Sequence, residues 1–164
     1  MISAEYCVLM ARYNQWMNRK LYQACDELTE AQRKQDVGAF FGSIQATFNH
    51  LLYADTIWIR RFTGRPITGL RPRMEFHPDF AALRAMRDTF DSEIVDWAAK
   101  VEQAWLTADF TYTRQADSVE VTSPAWRLVA HMFNHQTHHR GQITTMLFQF
   151  GIDPGATDLA AMPA

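Results

Sequence analysis

The sequence predicts an all-α protein: a four-helix bundle with a short β-hairpin between the third and fourth helices. Three observations carry this. Four long segments repeat apolar side chains at three- and four-residue steps, the spacing that gathers them on one helical face. Each is bounded by residues that start or stop helices. Between the last two lies a stretch whose apolar and polar residues alternate singly, as a half-buried strand requires.

The first predicted helix runs from Ser3 to Leu28, with Tyr6, Leu9, Met10, Tyr13, Met17, Leu21, Ala24 and Leu28 on one face. The second runs from Ser43, an N-cap residue type, to Phe62, with a stripe of Thr47, Leu51, Ala54, Trp58 and Phe62. Gly64 and Pro66 stop it and open a long connection reaching Pro78. The third helix is expected from Asp79 to Trp105, on a stripe of Leu83, Met86, Phe90, Ile94, Trp97 and Val101. Strands over Asp109–Thr113 and Ser118–Thr122, turning at Gln115-Ala116-Asp117, form the predicted hairpin. Ser123-Pro124 then reads as N-cap and first turn of the fourth helix, which closes at Phe150-Gly151.

The 164 residues suit one domain spanning positions 1–164 and can bury a sizeable core. Hydrophobic content of 48% with 21% charged residues is ordinary for a globular chain and excludes a disordered class. Sixteen Lys and Arg against 18 Asp and Glu give a net charge of −2. That balance lacks the basic excess by which phosphate backbones are bound, so no nucleic-acid partner is expected. The densest basic group, Arg60, Arg61, Arg65, Arg71 and Arg73, reads as a solvated surface or a local anion contact. No apolar run approaches the roughly 20 residues needed to cross a bilayer. Met1-Ile2-Ser3-Ala4-Glu5 lacks the basic-then-apolar order of a signal peptide, so a cytoplasmic location without a membrane partner is expected. Cys7 and Cys25 fall 18 residues apart in one predicted helix. About 27 Å of helical rise then separates them, far beyond disulfide reach, and they read as buried free thiols.

Chemistry concentrates in the fourth helix, where His131, His135, His138 and His139 lie within nine residues. His135 and His139 are one turn apart, a spacing at which two imidazoles can share one metal ion. They also continue the apolar stripe of Leu128, Met132, Ile143, Met146, Leu147 and Phe150, so they point toward the core. Burying such groups unpaired costs about 1–3 kcal/mol each, and a metal ion supplies the missing partner. His50, flanking the core stripe of the second helix, can reach across to complete a three-histidine site with open positions. His131 is read as supporting the site from outside it, His138 as projecting away, and His77 as a loop residue. Asp55 stands roughly 140° around the helix from His50 and shares no face with it. It is expected to cap or pair within the bundle. Position 136 is Gln, so the zinc-protease HExxH pattern is missing, and no ExxH, P-loop, GxGxxG or GxSxG motif occurs.

Tyr13-Asn14-Gln15-Trp16-Met17-Asn18, Phe48-Asn49-His50 with Asp55 and Trp58, Asn134-His135-Gln136-Thr137-His138-His139-Arg140-Gly141-Gln142, and Phe150-Gly151-Ile152-Asp153-Pro154 together resemble the DinB-like family of four-helix-bundle metalloproteins. The resemblance covers nearly the whole chain. It implies His50, His135 and His139 as metal ligands, nickel or zinc as the divalent ion, and a homodimer. It also implies a small-molecule substrate and a low-molecular-weight thiol as co-substrate, because relatives include thiol-dependent transferases and an isomerase. The expected function is therefore metal-dependent thiol transfer or hydrolysis. The alternative is a metal-binding stress or interaction protein without turnover.

Overall fold

The computed structural model describes residues 1–71 and 73–163. The elements follow in the order α1 (Ala4–Ala24), α2 (Glu30–Lys34), α3 (Ile44–Phe62), α4 (Phe80–Ala98), α5 (Gln103–Thr107), β1 (Asp109–Thr113), β2 (Glu120–Pro124) and α6 (Ala125–Gln149). The long helices α1, α3, α4 and α6 pack in a closed ring, α1 on α4 and α6, and α3 on the same two. Their contacts give the directions. Tyr6 meets Phe133 and Arg140 meets Asn14, so α1 and α6 run parallel. Arg84 reaches Asp26 while Asp91 binds Asn14, so α1 and α4 are antiparallel. His50 faces His139 and Trp58 faces His131, so α3 and α6 are antiparallel. Phe48 packs on Phe80 and Phe62 on Trp97, so α3 and α4 are parallel. A parallel pair forces the chain back along the length of the bundle, which is why the connection after Gly64 is long.

Local chemistry sets most helix ends. Ser3, Ser43 and Asp79 each accept a hydrogen bond from the amide three residues on, at 3.2, 3.2 and 2.8 Å. Gly64 and Gly151 take φ of 67° and 77°, the left-handed turn that ends α3 and α6 at little cost for glycine.

Four predicted boundaries move. α1 stops at Ala24 in a 3-10 turn over Cys25–Glu27, because Thr29 and Gln32 form a reciprocal capping box that restarts the chain as α2. The third predicted helix breaks after Ala98, and Glu102 is extended. The break turns α5 back, so that fully buried Leu106 fills the end of the core and Trp105 stands edge-on to Phe62 and Trp97. The predicted N-cap Ser123 and first-turn Pro124 instead lie in β2. The first amide of α6, on Ala125, donates to the Ala108 carbonyl at 2.9 Å, and no side chain caps this helix. The hairpin forms with Asp109 opposite Pro124 and Thr113 opposite Glu120, and its second strand starts two residues later than expected.

The stripes also shift. Leu9 and Met86 are exposed, while Arg87 and Asp91 are buried on α4 in line with Leu83, Ile94 and Ala98. Arg87, 1% exposed, donates to Asp55 of α3 at 2.7 Å and to Asp91 at 2.6 Å. Asp91 accepts further bonds from Asn14 at 2.8 Å and from Asn18 at 3.0 Å. Arg140 of α6 donates to Asn14. Two buried arginines thus oppose two buried aspartates, and all four long helices contribute. Cys7 and Cys25 are free and fully buried, and burial pushes their thiols up to about 11 and about 12, which keeps them protonated and inert. Among the described residues no helix is long and apolar enough to cross a membrane.

The buried network yields a stability prediction. Arg87→Ala strands two carboxylates in the core and should lower unfolding free energy by about 3–5 kcal/mol. Arg84→Ala removes only a partly exposed pair and should cost under about 1 kcal/mol. Urea midpoints of the two variants, compared by circular dichroism, check this.

Candidate metal centre

The antiparallel packing of α3 and α6 brings the predicted histidines together. His50 lies in the second turn of α3, whose start is fixed by the Ser43 cap. His135 and His139 follow one turn apart on α6. The Nε2 atom of His135 stands 3.1 Å from that of His50 and 3.1 Å from that of His139. One ligand atom from each of the three residues falls within a 4.8 Å group, so these side chains could hold one metal ion. Nitrogens about 2.0–2.1 Å from a divalent ion stand about 3.3 Å apart in tetrahedral and about 2.9 Å apart in octahedral geometry. The observed spacing lies between these values, and the donor set fits.

Electrostatics keeps the rings in the ligating form. Burial is the largest cause of depression at each. His135 is drawn down to about 3, with neighbouring His139 and His50 adding to the effect. His50 is drawn down to about 4, again with a contribution from His139. His139 is lowered as well, although Gln142 opposes the shift. With each neutral ring in the Nδ1–H tautomer, the three Nε2 lone pairs would face one another, an arrangement that a cation relieves.

Two neighbours orient the ligands. His139 Nδ1 lies 2.7 Å from Gln142 Oε1, and donation there leaves the Nε2 lone pair for a metal. The Phe41 ring stacks on His50 with centroids 3.9 Å apart and an interplanar angle of 24°. A cavity of about 340 Å³ opens beside His50, walled by Phe41, Asn49 and the end of the long connection.

The remaining candidates fall outside the triad. His131 is exposed and stands edge-on to Trp58, with its centroid 6.0 Å from that of His135. His138 is exposed and pairs with Gln142 at 3.3 Å. His77 accepts the Asp79 amide at 3.1 Å, a local loop contact. Asp55 pairs with Arg87 in the interior. Of the basic group, Arg60 caps the Pro66 carbonyl, Arg61 binds the Thr113 carbonyl and covers Tyr112, and Arg65 pairs with Glu93. Sequence reasoning missed Gln142 and Phe41. The first sits one turn beyond His139 and could have been found by that spacing; the second lies outside any helix and carries no periodic signal.

Two outcomes follow. In the metal-free protein, the unfolded chain takes up protons near the ordinary histidine value of about 6.5 while the folded triad resists. Stability is therefore unaffected above that pH and falls as pH drops from there toward the depressed values of about 4 at His50 and about 3 at His135. Urea midpoints across this range should decline, and less steeply in the His135→Ala, His139→Ala double variant. Gln142→Leu should weaken metal affinity about 10–100-fold, read by competition with a chromophoric chelator.

The sequence matches the model of the DinB family over residues 1–164. It is also similar to Protein DinB of Bacillus subtilis (strain 168), 25% identical over 161 residues, which cover 94% of this chain and 92% of the relative. With the model spanning the full length, and the helical ring and histidine cluster in place, the chain belongs to the DinB family.

Proposed function

We propose that this chain is a metal-dependent enzyme acting on a small molecule, by thiol transfer to an electrophile or by hydrolysis, with nickel or zinc held by His50, His135 and His139. The observation that carries the proposal is the one-sided triad: three Nε2 atoms converge where a cavity opens beside His50. A divalent ion at such a site lowers the pKa of a thiol or water and polarises an electrophile. Gln142 holds one donor nitrogen of His139 toward the triad, and Phe41 fixes the plane of His50. The cavity falls in the size range of small-molecule sites. Asp55 is held by Arg87 and is not free to act as a base.

Protein purified without a histidine tag should contain stoichiometric nickel or zinc by elemental analysis. It should conjugate thiols to an electrophile, or hydrolyse a small substrate. Single variants His135→Ala and His139→Ala should lose that activity to background while keeping helical circular dichroism. Activity unchanged in both variants overturns the proposal. A metal-loaded protein that turns over none of the panel favours the binding-protein alternative.

A further inference from the structure

We propose that the cavity beside His50 seats a small monoanion with an apolar body, its carboxylate turned toward Arg73 and Lys34. This rests on taking the histidine triad as a metal-dependent centre, because His50 belongs to both the triad and the cavity wall. The wall is mixed in chemistry. Phe40, Phe41 and Met74 are its apolar members, with the two aromatic rings edge to face at 4.8 Å. Phe41 is stacked on His50, so an apolar group resting against Phe41 lies alongside the imidazole.

Its charged members are Lys34 and Arg73 with one carboxylate, Glu75. Lys34 gives one of its three N–H groups to Glu30 at 2.6 Å and keeps the others. Among the described residues Arg73 enters no salt bridge. Two cations attract a carboxylate, while Glu75 in the wall and Glu30 on Lys34 oppose a second negative charge, so the pocket suits a monoanion better than a phosphate dianion.

The pocket is held in shape from below. Asn49 Oδ1 accepts the Phe76 amide at 2.7 Å, and Gln45 Nε2 donates to the Pro78 carbonyl at 2.8 Å. Both side chains belong to α3, so the segment bearing Arg73, Met74 and Glu75 is tied to the helix that carries His50. Such preorganisation limits the ordering cost of binding.

Phenylacetate, phenylacetamide and benzyl phosphate are suitable probes, titrated calorimetrically into metal-loaded and metal-free protein. Phenylacetate should bind more tightly than the other two in both forms. Arg73→Ala and Lys34→Ala should each weaken phenylacetate about fivefold, with phenylacetamide unchanged, while Glu75→Gln strengthens phenylacetate. The proposal fails if the amide binds as well as the acid, or if the Arg73→Ala, Lys34→Ala double variant keeps the preference. It also fails if the preference exists only in metal-loaded protein, since the carboxylate then binds the ion. An acid preference together with turnover unchanged in His135→Ala and His139→Ala sinks the metal-dependent reading alone. Metal-dependent turnover with no acid preference sinks this inference alone.

Discussion

The rest of the bundle depends on the buried charge network around Arg87. Its guanidinium joins Asp55 of α3 to Asp91 of its own helix, Asp91 takes the amides of Asn14 and Asn18 from α1, and Asn14 accepts from Arg140 of α6. Taking such charges out of water is expensive, and only close, hydrogen-bonded geometry repays the desolvation. Apolar faces pack acceptably in several registers. This network does not, because sliding any helix by one turn, about 5.4 Å, would part the charges from their partners.

That register determines where the histidines meet. On α3, Asp55 faces the interior while His50, five residues earlier, faces the α6 surface that bears His135 and His139. The interior charges and the imidazole cluster are therefore two consequences of one alignment. They are kept apart electrostatically. Arg87 is consumed by the two aspartates and Arg140 by Asn14, and the triad has neutral partners in Phe41 and Gln142. Neutral surroundings and burial leave the rings unprotonated, the state that a cation requires.

The parallel pairing of α3 and α4 has a further effect. It obliges the chain to cross the bundle between them, and Ile67, Leu70, Met74 and Phe76 of the crossover pack over Tyr53, Ala54 and Ile57. α3 is consequently covered on every side from Leu51 to Ile59. The hairpin adds to the cover: Tyr53 donates to Gln115, and Gln115 donates to the Leu70 carbonyl. A topological necessity thereby supplies one wall of the cavity beside His50.

The sequence by itself determined the four long helices, the hairpin, the free buried cysteines and the three histidines, because each rests on a local signal. Apolar periodicity, caps at Ser3, Ser43 and Asp79, stop glycines, and one-turn spacing of His135 and His139 are all readable over a few residues. Tertiary structure alone decided what depends on residues distant in the chain. The break after Ala98 follows from the packing of Trp105 and Leu106, with no Gly or Pro to announce it. Ser123 is drawn into β2 by pairing with Phe110, so the apparent cap is unused and the first amide of α6 goes to Ala108. The burial of Arg87 and Asp91 is invisible to a hydropathy stripe, which treats every charge as exposed; only their partners on the other helices make it tolerable. The orienting contacts of Phe41 and Gln142, and the cavity next to His50, likewise belong to the folded arrangement and not to any segment of it.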